Sequence, residues 1–195
     1  MLCPSCKKAV RGLSCECGAI VPPRGLDHFA VVGLPRRYPL ERGELEARHR
    51  EISKQVHPDR HAQGDPQERL LAVQATAALN DAYRTLRDPI KRAEYLLQLE
   101  GVTIGEHDKV DQALLLEMLE LREELAEADP AQREALFARM REREAGERQK
   151  IADGFRRFED TADRGLLPEL KARLIELRYI HRYLEEHHQD EGDLP

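Results

Sequence analysis

The chain has 195 residues, a formal net charge of −6, 35% charged residues, 5% aromatic residues and no Trp. That length suits one or two small domains, and that composition suits helices with broad solvated faces over modest cores. No apolar run approaches the ~20 residues of a membrane-spanning helix, Met1-Leu2-Cys3-Pro4 has neither a signal-peptide apolar region nor the Arg/Ser richness of a presequence, and the acidic balance argues against nucleic acid as the main ligand.

A cytoplasmic location is therefore expected. The charge is uneven: residues 1–101 hold 16 Lys and Arg against 13 Asp and Glu, and the remainder 15 against 24. A mildly basic front and an acidic back suggest two functions with different partners.

Residues 1–24 contain all four cysteines, as Cys3-x-x-Cys6 and Cys15-x-Cys17. Two close thiol pairs on tight turns can converge on one tetrahedral ion, with Gly12 and Gly18 helping the chain bend. Structural zinc held by Cys3, Cys6, Cys15 and Cys17 is the favoured reading, with Lys7, Lys8 and Arg11 offsetting the thiolate charge. An iron ion would find the same donors. A disulfide framework runs against cytoplasmic redox conditions, and four free surface thiols would be an oxidation hazard. Four protein ligands leave no open position for catalysis.

Pro22-Pro23-Arg24-Gly25 reads as a linker or turn. A short helix follows over Asp27 to Leu34, with Phe29, Val32 and Leu34 apolar. A second runs from Glu44 to Val56, with Leu45, Ile52 and Val56 on one face and His49 completing that stripe. A lone His on an apolar face is more often a core residue than a ligand, and His49 is given no function. Pro58 stops this helix and pushes His57 toward an extended conformation. His57-Pro58-Asp59 is thus an exposed corner. Arg50 and Lys54 lie off the apolar stripe and continue a positive surface toward it. Residues 60–66 read as a mobile loop, Gln67 to Leu86 as a third helix, and Pro89 to Leu99 as a fourth. Asp88 caps the fourth, which turns Tyr95, Leu96 and Leu99 inward and is ended by Gly101.

A helix, His57-Pro58-Asp59, a second helix carrying Asn80-x-Ala82-Tyr83, then Arg87-Asp88-Pro89 and the Lys91-Arg92 pair resemble a J domain, the part of DnaJ-type co-chaperones that docks on a DnaK-type chaperone and stimulates its ATP hydrolysis. The resemblance implies that His57, Pro58 and Asp59, aided by Arg50 and Lys54, bind the chaperone, Asp59 meeting a chaperone arginine. The opening Asp27-His28-Phe29-x-x-x-Gly33-Leu34-Pro35-x-x-Tyr38 is similar to that of HscB-type co-chaperones, which serve iron–sulfur cluster assembly.

After a connection over residues 102–110, a helix over Asp111 to Ala128 carries two apolar faces. Leu114, Met118, Leu121 and Leu125 fall within about 60° of one another at 100° per residue, a normal core stripe. Leu115, Leu116 and Leu119 fall opposite, in a sector shared with Glu120 and Glu123. One amphipathic helix buries one face, so the second is either sandwiched or left for a partner. The next helix opens at Asp129-Pro130 with Gln132 in the capping position. Its apolar residues, Leu136, Met140, Ile151, Phe155 and Phe158, are sparse, and Gly146 and Gly154 weaken it. The last helix runs from about Pro168 to His187, with Leu170, Leu174, Leu177 and Leu184 inward. Three antiparallel helices with so little apolar material cover only one face of the 111–128 helix.

Leu114 to Leu125 is also similar to the first helix of the C-terminal bundle in HscB-type proteins. That resemblance implies that Leu115, Leu116, Leu119, Glu120 and Glu123, with Tyr179 from the last helix, hold IscU, the scaffold on which clusters are built. The expected fold is all-α: a four-cysteine metal-binding module (1–24), a J domain (25–101), a linker (102–110) and a three-helix bundle (111–190). The expected function is a non-enzymatic co-chaperone with no catalytic residue, structural zinc as its cofactor, and an HscA/DnaK-type ATPase and IscU as its partners. The competing readings are a J protein for another client, or a thiol oxidoreductase using Cys3 and Cys6. The second is disfavoured because no sheet is expected beside the cysteines.

Overall fold

A computed structural model describes residues 1–105, 108 and 111–190, the last five of these by backbone alone. Part of the expected 102–110 connection lies outside the described residues. Among the described residues seven α-helices follow in order: α1 His28–Val32, α2 Arg42–Val56, α3 Pro66–Arg87, α4 Pro89–Leu99, α5 Gln112–Glu127, α6 Pro130–Thr161 and α7 Leu166–Asp190, with a 3₁₀ turn, Pro58–His61, after α2. Among the described residues, strand pairing is confined to two isolated bridges. The all-α expectation holds. The chain divides into two compact units, Met1–Arg92 and Ala93–Pro195.

In the first unit, local chemistry marks each helix end. Asp27 accepts the Ala30 N–H at 2.7 Å to open α1, and Gly33, at φ +69°, closes it. Asp65 accepts the Glu68 N–H at 2.8 Å, with Pro66 at the first position of α3. Asp88 accepts from Ile90 at 2.9 Å and Lys91 at 3.2 Å, the cap foreseen for α4. α3 packs on α1 and α2. Its fully buried Ala72, Ala75 and Ala82 allow close approach, and Leu79 and Leu86 fill the core with Phe29, Val32, Leu45 and Val56.

Three local expectations need correction, and Arg92 adds a buried cation. Residues 60–66 do not form a simple loop, because Pro58 starts a 3₁₀ turn that reaches His61. On α4 the buried stripe is Ile90, Ala93 and Leu97, with Leu96 beside it, whereas Tyr95 and Leu99 are half-buried; the three- and four-residue spacing from Ile90 sets the rotation. Of the Lys91-Arg92 pair, Arg92 is buried, donating to Leu86 O at 2.7 Å with its guanidinium 5.1 Å from the Tyr38 ring. His49 is half-exposed, stacked on Tyr83 at 4.3 Å and 3.1 Å from Asn80 Oδ1.

In the second unit, Leu114, Met118, Leu121 and Leu125 of α5 pack with Phe137 and Met140 of α6 and with Ile180, Tyr183 and Leu184 of α7. The expected core stripe of α5 is the observed one. On α6, Phe137 is buried while Leu136 and Phe158 are only partly so. The capping box at Asp129 and Gln132 forms as expected. α6 continues unbroken through Gly146 and Gly154. A Cβ at residue 154 would come within 2.7 Å of Leu170 Cδ2, so this glycine admits a buried leucine of α7.

The charged middle of α6 is held by ion pairs in place of apolar contacts. Arg143 reaches both Glu117 of α5 and Glu176 of α7. Glu147, 4% exposed, pairs with Arg173 at 3.2 Å. Glu144 lies 2.7 Å from Arg148 and 2.8 Å from His181. A carboxylate as buried as that of Glu147 is stable only when paired and hydrogen-bonded.

Candidate functional site

Three groups of side chains stand out from the folded background. The first is the corner after α2. His57 is extended (φ −60°, ψ 131°), as a residue before proline should be. The Asp59 N–H donates to His57 Nδ1 at 3.2 Å. The Asp59 side chain is 91% exposed, and among the described residues its one ion-pair neighbour is His57, at 3.6 Å. A carboxylate on a rigid turn, with so little of its hydrogen-bonding capacity used internally, is presented to whatever docks there.

The charges on α2 sort by their partners. Arg42 pairs with Glu46 at 2.8 Å and Arg48 with Glu51 at 3.1 Å. Arg50 and Lys54 are exposed and make no side-chain ion pair among the described residues. Of the cations of α2, the two singled out in the sequence are therefore the unpaired ones nearest the corner.

The second group is the outer face of α5. Leu115, Leu116 and Leu119 are 46%, 58% and 54% exposed. An exposed leucine alone means little, but three within five residues, on a helix whose other face is already buried, make a patch. Covering what remains of each would contribute about 1 kcal/mol. The acids again sort by partner. Glu117 is tied to Arg143 and Glu124 to Arg139, whereas the exposed Glu120 and Glu123 make no ion pair among the described residues. Glu127, equally exposed and unpaired among the described residues, extends that row by one turn. The sequence reading missed it, although its four-residue spacing from Glu123 was the available signal. Tyr179 is half-buried against the core, with Arg182 5.8 Å from its ring.

The third group is the cysteine cluster. Antiparallel bridges Leu2–Ala9 and Ser14–Ile20 each close a turn around one thiol pair. Lys7 N–H donates to Cys3 O at 3.1 Å and Gly18 N–H to Cys15 O at 2.8 Å. Each turn passes through positive φ one residue after its second cysteine, at Lys7 (+62°) and Gly18 (+86°). The shorter second spacing thus still yields an equivalent knuckle. All four Sγ atoms lie within 4.8 Å of one another, with Cys3–Cys17 at 3.6 Å and Cys6–Cys15 at 3.5 Å.

Those separations are far beyond a disulfide's ~2.05 Å and bracket the ~3.8 Å edge of a tetrahedron with ~2.3 Å metal–sulfur bonds. Four protein sulfurs fit a closed metal site. Without a cation, the Cys6 backbone N–H draws Cys3 down to about 6. The Cys17 N–H also favours a Cys15 thiolate, but burial and the neighbouring thiols win and push Cys15 up to about 12. One thiolate forms readily and opposes the next, and a divalent cation removes that opposition. A redox Cys-x-x-Cys pair usually opens a helix beside a sheet; here both pairs sit in turns and all four sulfurs converge.

Comparison with known proteins bears on all of this. The DnaJ domain family matches residues 27–95, and the family described as "HSCB C-terminal oligomerisation domain" matches residues 110–188. The crystal structure of human co-chaperone protein HscB superposes with a TM-score of 0.84 at 25% identity, covering 100% of both chains. Chaperone HscB from Vibrio cholerae superposes with a TM-score of 0.75 at 31% identity, covering 87% of this chain and 100% of that one. The chain belongs to the HscB co-chaperone family. HscB proteins serve iron–sulfur cluster assembly, and their two domains imply an Hsp70-type chaperone and a scaffold protein as partner classes. No helix among the described residues is long and apolar enough to cross a membrane.

Proposed function

We propose that this chain stimulates the ATPase of an HscA/DnaK-type chaperone through its J domain and delivers an IscU-type iron–sulfur scaffold through its C-terminal bundle. The observation that carries the reading is the leucine face of α5, turned away from a core that the opposite face of the same helix already fills. Leu115, Leu116, Leu119, Glu120, Glu123 and Tyr179 form the scaffold side, and Arg50, Lys54, His57, Pro58 and Asp59 the chaperone side. The working division is residues 1–24, 25–101, 102–110 and 111–190. The chain itself catalyses nothing; joining two weak sites raises the scaffold's effective concentration at the chaperone. We place it in the cytoplasm, without a nucleic-acid or membrane partner.

Single-turnover ATP hydrolysis by the chaperone tests this. The full chain and the scaffold together should accelerate hydrolysis more than either does alone. Stimulation indifferent to the scaffold would point to a different client.

The ion at Cys3, Cys6, Cys15 and Cys17 is taken to be zinc with a structural role. Purified protein should carry about one metal per chain by mass spectrometry, and a chelator or Cys6→Ser should release it. Because only thiolates ligate, acidification should favour loss of the metal. Amide exchange should then rise within residues 1–24 and stay unchanged in α5 to α7. A metal-free protein with the same exchange pattern would reject the structural role.

A further inference from the structure

α2 leaves its last carbonyls without intrahelical partners, and three of them find donors around the docking corner. Lys54 O accepts from the Arg60 guanidinium at 3.0 Å, Gln55 O lies 3.0 Å from His61 Nε2, and Val56 O accepts from the Thr76 hydroxyl at 3.3 Å. His61 is the buried member, 9% exposed and two residues beyond Asp59. Its other ring nitrogen, Nδ1, lies 2.7 Å from Glu68 Oε1 in the first turn of α3. Both of its partners are acceptors. A neutral imidazole carries one N–H and satisfies one of them; an imidazolium carries two and satisfies both. The geometry therefore suits the doubly protonated ring.

We propose that His61 is a positioning residue for the chaperone-docking turn, whose doubly protonated ring pins the end of α2 to the start of α3, so that loss of its proton loosens His57-Pro58-Asp59 and weakens chaperone binding. The chaperone half of this statement rests on the docking role proposed above; the clamp is a property of the chain alone. The charged groups acting on the ring are Glu68 from α3, which favours the proton, and Arg60 from the turn itself, which opposes it, while α2 presents the uncharged Gln55 carbonyl. Their balance, the Gln55 carbonyl first and Glu68 second, raises His61 above its ordinary value of 6.5. A raised value means that the clamp is fully formed below pH ~6.5 and is lost as pH climbs through the folded-state value.

His61→Phe keeps a ring in the pocket but offers no donor. Affinity of the full chain for an HscA/DnaK-type chaperone should be measured from about pH 6 to about pH 8 for wild type and His61→Phe. Taking their ratio cancels titration within the chaperone. The wild-type advantage should shrink by roughly two- to tenfold as pH rises, the size of one net hydrogen bond. A ratio independent of pH overturns the proposal. In the free protein, the His61 ring and the amides of Arg60 and Ala62 should titrate together by NMR, and amides that do not follow the ring overturn the clamp. Should His61→Phe not fold, Glu68→Gln serves: it should lower the ring's midpoint and move the binding profile to lower pH, and an unmoved midpoint overturns the proposal. If no variant binds the chaperone at any pH, the docking role fails, while the NMR result still decides the clamp.

Discussion

Asp59→Asn abolishes stimulation of the chaperone ATPase while leaving the protein's melting temperature unchanged. The two halves of this expected result have one cause. The Asp59 carboxylate is almost wholly in solvent, 3.6 Å from His57 at its nearest ion-pair contact, so its removal should cost the fold less than about 0.5 kcal/mol. In the complex the same carboxylate would be buried against a cation of the chaperone. Truncating one partner of a desolvated charge pair costs about 2–5 kcal/mol, or at least about thirtyfold in affinity. Steady-state ATPase and a thermal melt of the same sample check both halves. Full stimulation by Asp59→Asn would remove the chaperone end of the proposed function.

The second large effect concerns the scaffold. Leu115→Ala combined with Leu119→Ala should weaken scaffold binding tenfold or more by calorimetry, because a few central apolar residues dominate such interfaces. The same double variant should lose much less stability than a core truncation, since both side chains are about half in water already. Leu114→Ala supplies the opposite pattern from the neighbouring position. Leu114 is buried in the core between α5, α6 and α7, and its truncation should cost about 2–5 kcal/mol of stability. Binding that survives the double variant would be fatal to the cargo role.

Much of this was legible before any coordinates. A helix reports its faces through a period of 3.6, and α5 showed two apolar faces where its bundle could cover only one. Proline chemistry placed the corner at His57-Pro58-Asp59, and Asp88 and Asp129 marked helix starts by capping rules that act within a single turn. What stayed hidden depends on partners distant in sequence. Nothing local distinguishes Glu147, which is buried, from Glu142, which is exposed; Arg173, 26 residues away, decides it. The charged run after Leu136 and Phe137 leaves the rotation of α6 unanchored in the sequence, and only the fold shows Phe137 to be the buried one. In sequence His61 lies in a stretch that reads as a loop, and only the folded chain sets a carbonyl and a carboxylate on its two nitrogens. The convergence of the four cysteines was legible, but only the fold shows that the shorter Cys15-x-Cys17 pair makes the same left-handed step, at Gly18, as the longer pair makes at Lys7.

The ionic belt across the middle of the second unit has a further effect. α6 buries only four apolar side chains, Phe137, Met140, Ile151 and Phe155, and beyond the seat of Leu170 at Gly154 these contacts alone set little against a slide of α6 along α7. Glu147 opposes this, because a slip would take its buried carboxylate from Arg173 of α7 and leave it only Lys150 of its own helix, and Arg143 ties the same level to Glu117 of α5 and Glu176 of α7. The three rods are thereby keyed to one axial register, and Tyr179, one turn beyond Glu176, keeps a set height relative to the leucines of α5.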